Sequence, residues 1–270
     1  MNYILSRTSI SILGRLARER IMCAFDFDGT LSPIVEHPDR ARMRASTRML
    51  LQRLVSLYPC VVISGRSRAD LLDKLRGVSV AGVFGNHGAE IADTQKQGRH
   101  LKQWKIALEA EVGTLPGVWI EDKGASLTVH YRQSAQRADS RRRIFAAAAK
   151  LKQARAFGGK AVVNIVLDGA PNKGDAVAAA RSRLRSNWIL YVGDDETDED
   201  AFALKGNLIS VRVGRKKQSR ARYYLRNQAE IDVLLRQMVR LRAAHRISDS
   251  ERSAIPRFRA ARGQVDRDRG

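Results

Sequence analysis

The stretch F-D-F-D-G-T-L, residues 25–31, decides the fold, because it ends an apolar run with two carboxylates. Residues 22–25 are all apolar and predict a buried strand, which Gly29 interrupts. In a parallel α/β sheet the ligand crevice opens where the strands end. Asp26 and Asp28 are therefore expected to contact the same ligand. A hard cation such as Mg²⁺ would relieve the repulsion between the two carboxylates. For this motif alone, a polar corner that caps a helix is the alternative.

Three further segments carry polar groups of the kinds that bind phosphate or a cation. An apolar strand ends in Ser64 and Gly65, whose hydroxyl and backbone N–H suit an anion. Lys173 opens an alanine-rich helix and supplies a point charge for a phosphate oxygen. The strand 188–192 runs into the acidic cluster 193–198. Each signal is weak alone, but their order along the chain makes coincidence a poor explanation.

This ordered set resembles the signature of the haloacid dehalogenase superfamily of phosphotransferases. Within it, the sequence is similar to the trehalose-6-phosphate phosphatase family, which has a cap inserted between the second and third motifs. The segments that carry the narrower resemblance are 63–67, 85–90, 121–124, 129–132 and 193–199. The resemblance implies a Mg²⁺-dependent phosphomonoester hydrolase that converts trehalose 6-phosphate to trehalose and phosphate in trehalose biosynthesis.

Phosphomonoester hydrolysis needs charge neutralisation, a positioned nucleophile and a proton for the leaving oxygen. Asp26 is predicted to be the nucleophile that forms an aspartyl-phosphate. Asp28 is predicted to be the general acid for the sugar oxygen and then the general base for water. Ser64, the Gly65 amide and Lys173 are expected to hold the remaining phosphoryl oxygens.

Four aspartates are candidates for the metal site. Mg²⁺ is predicted to bind the Asp26 carboxylate, the Asp28 backbone carbonyl and Asp194, with Asp195 as a further candidate. Asp194 is expected to be a direct ligand ahead of Asp195 and Asp198. Either of these two could bind the metal through water or support its ligands, and helix capping is the alternative for both.

The cap is expected to choose the substrate. Alternation along 126–132 sends Leu127, Val129 and Tyr131 to one face and Thr128, His130 and Arg132 to the other, toward the core. The residues predicted to bind substrate are Gly65, Arg66, His87, Glu121, Lys123, His130, Arg132 and Asn164. The resemblance favours Glu121 and Lys123 most. For His130 a structural role, and for His87 a tight-turn role, are the alternatives.

Asn164 departs from the family pattern. The family usually has a glutamate four residues after G-K on the last cap strand, whereas Asn164 follows Gly159 and Lys160. Asparagine keeps a hydrogen-bond acceptor but loses the charge. Phosphatase chemistry is unaffected, and another sugar phosphate, such as glucosyl-3-phosphoglycerate, becomes an alternative substrate.

The pattern of apolar segments predicts an α/β protein with a doubly wound, Rossmann-like parallel sheet and an inserted α+β cap. Core strands are expected at 21–25, 60–63, 78–84, 188–192 and 208–213, with helices at 44–57, 67–76, 173–185 and 227–242. The cap is expected to contain helices at 102–112 and 134–154 and strands near 118–121, 125–132 and 160–167. The predicted division is an N-terminal helix at 1–20, a core at 21–101 and 169–247, a cap at 102–168, and a basic disordered tail at 248–270.

Composition restricts location and partners. Cys23 and Cys60 lie in predicted core strands, so we expect no disulfide framework. A cytoplasmic location is therefore expected. No apolar stretch is long enough to span a membrane. The net charge of +21 raises a second hypothesis, a nucleic-acid-binding module. Against it, the basic stretches lack interleaved aromatic residues and any recognition motif, and a basic surface also attracts anionic sugar phosphates. Association with a trehalose-phosphate synthase is a further expectation.

Overall fold

The structure is a computed structural model that describes residues 1–91 and 94–254. Its strands, in chain order, are β1 (Asn2–Tyr3), β2 (Ile21–Phe25), β3 (Cys60–Ile63), β4 (Gly82–Phe84), β5 (Trp119–Asp122), β6 (Leu127–His130), β7 (Ala154–Gly159), β8 (Val162–Leu167), β9 (Trp188–Gly193), β10 (Leu208–Val213) and β11 (Tyr223–Leu225). Its α-helices are α1 (Arg7–Leu16), α2 (Ala45–Val55), α3 (Arg68–Lys74), α4 (Thr94–Val112), α5 (Arg137–Ala149), α6 (Lys173–Arg183), α7 (Glu199–Phe202) and α8 (Ile231–Ala254).

The larger sheet is parallel and has β2 near its middle. Its strand order is β1-β11-β10-β9-β2-β3-β4. Because all strands run the same way, their carboxyl ends lie along one edge of the sheet. The segments that follow β9, β2 and β3 are therefore neighbours, although they are far apart in the sequence.

Helices cover both faces of this sheet, which explains the continuous apolar run in β2. Ile21, Cys23 and Phe25 pack into a cluster that includes residues of α1, α2 and α8. Met22 and Ala24 point to the opposite face and pack against residues of α6 and α7. Successive side chains of one strand thus enter two separate cores.

A second, antiparallel sheet forms the cap, with the order β5-β6-β8-β7. One face is apolar and packs against α4 and α5 through side chains such as Leu127, Val129 and Ile144. Thr128 and His130 lie on the other face, which is turned toward the core. The alternation predicted for β6 is confirmed.

The predicted fold class is confirmed, and the differences concern element boundaries and three strands, β1, β7 and β11, that were not predicted from the sequence. β7 lies beyond the predicted helix 134–154, because α5 ends at Ala149 and the chain returns to pair with β8. α4 begins at Thr94 rather than at residue 102, and β4 contains only the last part of the predicted strand 78–84. β1 and β11 were not predicted, since two- and three-residue strands carry no readable alternation.

The domain boundaries given above stay predictions. α8 continues to Ala254, past the predicted start of the tail at residue 248, and residues 255–270 lie outside the described part of the chain. Within the described residues, no helix combines the length and apolar character needed to cross a bilayer.

Candidate active site

The carboxyl ends of β9, β2 and β3 place three polar side chains at the edge of one cavity. Asp194 follows β9, Asp26 follows β2 and Ser64 follows β3, and all three are buried. The cavity has a volume of about 380 Å³ and lies between the core sheet and the polar face of the cap. All fourteen residues predicted as site residues line it: Asp26, Asp28, Ser64, Gly65, Arg66, His87, Glu121, Lys123, His130, Arg132, Asn164, Lys173, Asp194 and Asp195.

Lys173 joins two carboxylates beneath this cavity. Its Nζ donates to Asp26 Oδ1 at 2.8 Å and to Asp198 Oδ1 at 2.7 Å, and all three side chains are buried. Lys173 is the first residue of α6, where the Asn172 side chain caps the helix by accepting from the backbone N–H of Asp175. The cap orients the first turn of α6 and so directs the lysine toward the sheet.

The electrostatics of this group are set by burial. Burial raises the pKa of Asp26 well above its usual value, the neighbouring carboxylates of Asp198 and Asp194 add to this, and the Lys173 ammonium opposes it. Burial alone would lower the pKa of Lys173, but the charges of Asp198 and Asp26 outweigh it and raise that pKa. The lysine therefore stays charged and is the group that favours an ionised Asp26.

Asp194 is buried and incompletely satisfied. Its Oδ1 atom has no hydrogen-bond partner, whereas Oδ2 contacts Lys160 Nζ from the cap. Burial raises its pKa to about 6, against the lowering effect of Lys160. Gly29 adopts a positive φ of 83°, and a Cβ at that position would collide with the Asp194 carboxylate. The glycine of the opening motif is thus required by the close approach of the two loops.

The donor set suits a divalent cation. Ligand atoms of Asp26, Asp194 and Asp198 all lie within 4.8 Å of one another. Asp198 already accepts hydrogen bonds from Lys173 and the Tyr191 hydroxyl on Oδ1, and from two backbone N–H groups on Oδ2. The buried Asp194 Oδ1, which has no hydrogen-bond partner, therefore has free coordination capacity. Oxygen donors of this kind match hard cations, so the residues present fit such an ion.

Asp195 and Asp198 both take part in local capping. The Asp195 side chain accepts from Glu196 N at 2.6 Å, and together with Asp198 it forms a capping box at the short helix Glu196–Asp198. Arg212 supports the same loop by donating to the carbonyl oxygens of Asp194 and Asp195 at 2.7 and 3.0 Å. The capping alternative therefore has direct geometric support for both aspartates.

The Asp28 carboxylate faces Arg66 rather than Asp26. Arg66 donates to both Asp28 oxygens at 2.7 Å, and it also donates to Asp70 at 2.6 Å and to the Pro38 carbonyl at 2.8 Å. Burial would lower the pKa of Arg66, but Asp28 and Asp70 outweigh it and raise it. The paired geometry orients the Asp28 carboxylate at the mouth of the cavity.

His87 packs directly against the Ser64-Gly65 turn. A Cβ on Gly65 would lie 2.5 Å from the His87 ring, so a side chain there would displace the imidazole. Burial lowers the pKa of His87 well below its usual value, and the charges of Lys173 and Lys123 act in the same direction. His87 is therefore a neutral imidazole at neutral pH. Its φ of 57° is consistent with the tight-turn alternative as well.

The cap contributes a connected polar group opposite the core carboxylates. His130 Nε2 lies 2.8 Å from Glu121 Oε2, and Lys123 Nζ lies 3.5 Å from the same oxygen. Trp119 stacks on the His130 ring at 3.7 Å, which fixes the ring plane. Burial opposes ionisation of Glu121, but His130 and Lys123 outweigh it and lower its pKa. Glu121 is thus an ionised acceptor that faces the cavity.

Two more predicted cap residues contact their neighbours in different ways. Asn164 Oδ1 accepts from the Thr128 hydroxyl at 2.9 Å, across the β6–β8 pairing. Arg132 reaches the core, where it donates to the Val35 carbonyl at 3.4 Å, and it also donates to the Lys160 carbonyl at 3.2 Å. Arg132 therefore connects cap and core as well as lining the cavity.

Several residues of the site were not predicted. Lys160, Asp70, Thr128 and Thr197 also line the cavity. Trp119 stacks on His130, which lines the cavity, and Tyr191 donates to Asp198, the second carboxylate that Lys173 contacts. A lone lysine such as Lys160 carries no local signal, since its contact with Asp194 depends on the fold. Thr128 had been placed on the correct face but given no role.

The comparisons with known proteins agree with this geometry. The trehalose-phosphatase family model matches residues 24–229. The trehalose-phosphate phosphatase of Mycobacterium avium (strain 104) is 37% identical in an alignment of 208 residues that covers 67% of this chain and 51% of that relative. The chain therefore spans about half the length of the curated relatives it matches.

Solved structures show the same fold. The C-terminal domain of the C. albicans trehalose-6-phosphate phosphatase superposes with a TM-score of 0.73 at 22% identity, covering 87% of this chain and 96% of that one. An Aspergillus fumigatus trehalose-6-phosphate phosphatase has a TM-score of 0.60 at 25% identity, covering 89% and 99%. With the family model matched over most of its length, the chain belongs to the trehalose-phosphatase family.

Proposed function

We propose that this protein hydrolyses trehalose 6-phosphate to trehalose and phosphate, with Mg²⁺ in the acidic cluster. The observation that carries the proposal is the buried Asp26–Lys173–Asp198 group next to Asp194, at the floor of a cavity whose roof is the polar face of the cap. The nucleophile Asp26 and the balancing charge of Lys173 thus lie beside a cavity large enough for a sugar.

Asp26 acts as the nucleophile in this proposal. One of its oxygens forms a bond to phosphorus while the bond from phosphorus to the sugar oxygen breaks, which gives an aspartyl-phosphate and an alcohol. The Lys173 ammonium favours the ionised form of Asp26 before attack and then offsets charge on the phosphoryl group. Water subsequently attacks phosphorus, the acyl-phosphate bond breaks, and the Asp26 carboxylate is restored.

Asp28 moves the protons in both steps. Protonated Asp28 gives its proton to the leaving sugar oxygen, and the resulting carboxylate later takes a proton from the attacking water. Arg66 holds the Asp28 carboxylate in a paired geometry with two hydrogen bonds of 2.7 Å. Arg66 is therefore a positioning residue, and substrate binding must loosen this pair before Asp28 can act as an acid.

Mg²⁺ is proposed to be held by the Asp26 carboxylate, the Asp28 backbone carbonyl and Asp194, where Oδ1 lacks a partner. When bound, the ion would neutralise charge on the phosphoryl oxygens and reduce their repulsion of the nucleophile. Asp195 and Asp198 would support the loop instead, because their carboxylates are engaged in capping and with Lys173.

The sugar is proposed to bind the cap. Glu121, Lys123 and His130 offer an acceptor and donors to hydroxyl groups, and Asn164 offers its amide. Asn164 is also compatible with a second class of substrate. Its neutral amide gives the sugar-binding half of the cavity one negative charge fewer than the glutamate that the family usually has at this position. A phosphosugar that carries a further negative charge, such as glucosyl-3-phosphoglycerate, suits that difference.

The remaining expectations about cellular context stay predictions. A cytoplasmic location and association with a trehalose-phosphate synthase would both fit a sugar-phosphate enzyme. For nucleic acid, a specific complex would require sub-micromolar affinity at physiological salt that falls steeply as salt rises.

The direct test measures phosphate release from a panel of sugar phosphates in the presence of Mg²⁺. Trehalose 6-phosphate should be hydrolysed with the highest kcat/KM, ahead of glucosyl-3-phosphoglycerate and glucose 6-phosphate. Asp26→Asn should lower the rate by about 1,000-fold or more. The matched control, Asp73→Asn, removes an exposed carboxylate that pairs with Arg76 on the surface and should leave the rate unchanged. A panel without any hydrolysed member would refute the proposal.

A further inference from the structure

Lys160 is a cap residue that contacts the acidic cluster of the core. It lies in the two-residue turn between β7 and β8, where Ala161 adopts a φ of 61°. Its Nζ contacts Asp194 Oδ2, the oxygen beside the unpartnered Oδ1. The Lys160 side chain is 44% exposed and the Asp194 side chain only 6%. Lys160, on the cap, is therefore the more flexible partner, and Asp194, on the core, is the more fixed one.

Two other cap cations contact the core in a different way. Lys123 donates to the Gly65 carbonyl at 3.0 Å, and Arg132 donates to the Val35 carbonyl at 3.4 Å. These acceptors are neutral backbone groups, and a cation in the acidic cluster leaves them unchanged. Lys160, by contrast, pairs with a carboxylate that a divalent ion would use.

We propose that Lys160 and the divalent cation compete for Asp194, so that cation binding and closure of the substrate-free cap oppose each other. This inference rests on the proposed cation site. Lys160 balances the Asp194 charge while the cation is absent. Once the cation takes over the carboxylate, the ammonium is repelled by a like charge at short range and loses its partner. The cap then keeps its other contacts with the core, such as the Ser126 hydroxyl on Asn86 Oδ1 at 2.7 Å, but loses this ion pair, which favours opening for substrate.

The released ammonium also gains a role with substrate. A phosphoryl group bound beside Asp26 brings negative charge close to the turn that carries Lys160, since both Lys160 and Asp26 line the same cavity. Lys160 can then close the cap onto the phosphoryl group instead of onto Asp194. One side chain would thus couple cation occupancy, cap position and substrate charge.

Calorimetric titration with MgCl₂, in the absence of substrate, tests the competition. Lys160→Met should bind Mg²⁺ at least about fivefold more tightly than the wild type, within the range of 5- to 150-fold typical of coupling between sites. Lys160→Arg keeps a cation and should bind Mg²⁺ like the wild type. The control Lys216→Met removes a cation that pairs with Glu196 at 3.0 Å near the same mouth, and should change Mg²⁺ affinity by less than about twofold.

Hydrogen exchange supplies an independent measure of the cap. Mg²⁺ alone should speed exchange at the cap–core contacts of the wild type, and in Lys160→Met exchange should be fast already and insensitive to Mg²⁺.

Equal Mg²⁺ affinity of the wild type and Lys160→Met, or slower exchange of the wild-type cap with Mg²⁺, overturns the inference and leaves the proposed phosphatase activity standing. Absence of Mg²⁺ binding to both proteins overturns the inference and the proposed metal together, whereas absence of phosphate release with normal Mg²⁺ competition refutes only the activity.

Discussion

Lys173 is the residue whose removal should have the largest effect, because two buried carboxylates depend on it. Lys173→Met leaves Asp26 and Asp198 without their shared counter-charge. We expect a loss of about 3 to 5 kcal/mol of unfolding free energy at neutral pH, together with loss of activity. Denaturant unfolding, monitored by circular dichroism, measures the first effect.

The pH dependence of this variant provides its control. With the ammonium gone, the pKa of Asp26 in the folded protein rises further. A carboxyl whose pKa is higher in the folded than in the unfolded protein contributes stability that is complete below the unfolded pKa. That contribution is lost as pH rises through the folded pKa. The stability deficit of Lys173→Met should therefore shrink as pH falls from 8 toward 5. A deficit that does not change over this range would contradict the assigned charges.

Arg66 provides a second test at the residue scale, because it orients Asp28 through two hydrogen bonds. Arg66→Met should lower kcat by about 100-fold, the effect expected when a reacting group is displaced by about 1 Å. Arg66→Lys should rescue little, since an ammonium cannot make the paired contact. Steady-state kinetics over a pH series also checks the mechanism, because a changed pH profile of kcat is expected for a residue that acts through the proton-transfer group Asp28. An unchanged pH profile would assign Arg66 a merely structural role.

Residue types and their order were sufficient to predict which side chains meet at the floor of the cavity. Two aspartates after an apolar strand, and a lysine that opens a helix, carry their chemistry in a few adjacent positions. Lys160 and Trp119 could not be found that way, because their importance comes from contacts with Asp194 and His130 that only the folded cap creates.

At the scale of elements, Asp232 joins α8 to α2. It accepts from the Ser46 and Thr47 hydroxyls at 2.7 and 2.5 Å and pairs with Arg44 at 3.3 Å. Partial burial opposes its ionisation, but these hydrogen bonds and the arginine outweigh it, so its pKa lies below the usual value. The residue therefore stabilises the packing of two helices that cover the same face of the sheet.

Asp232→Asn should lower the unfolding free energy by about 1 to 2 kcal/mol at pH 7, the net value of hydrogen bonds to a charged group. Because the folded pKa is depressed, the contribution is complete above the unfolded pKa of about 3.9 and disappears as pH falls through the folded value. Thermal unfolding at pH 7 and at pH 3 measures both. A difference that persists undiminished at pH 3 would show that the carboxylate charge is not the cause.

Strand β7 shows where prediction of elements fails. Its sequence, A-R-A-F-G-G, has small and glycine residues that do not favour a strand. It becomes one because β8 offers an unpaired edge next to it, and residues 154–159 pair along the whole of that edge. β2 was predictable for the opposite reason, since five consecutive buried residues between two helical layers leave few alternatives.

At the scale of the whole molecule, the two sheets meet at buried carboxylates that each have a cationic partner in the absence of a metal. Lys173 contacts both Asp26 and Asp198, and Lys160 contacts Asp194. A chelator should therefore abolish phosphate release. The melting temperature of the chelator-treated protein should stay within a few degrees of that of the same protein supplied with Mg²⁺, both without substrate. Differential scanning fluorimetry beside the activity assay measures this. Unfolding on chelation would mean that the ion is structural.

The net charge of +21 also belongs to this scale. Composition alone could not distinguish a nucleic-acid surface from the attraction of a small anionic substrate. The cavity of about 380 Å³ between core and cap favours the second interpretation, because Lys123, Lys160 and Lys173 line this compact space.

The central claim is that Asp26 is transiently phosphorylated during turnover. Rapid quenching of the Mg²⁺-supplemented protein with trehalose 6-phosphate, followed by borohydride reduction and peptide mass spectrometry, tests it most directly, since reduction of an acyl-phosphate releases phosphate and converts the side chain to an alcohol. We predict homoserine at position 26 only when substrate is present. Rapid turnover with an unmodified aspartate at position 26, or with the modification at another aspartate, would contradict the account.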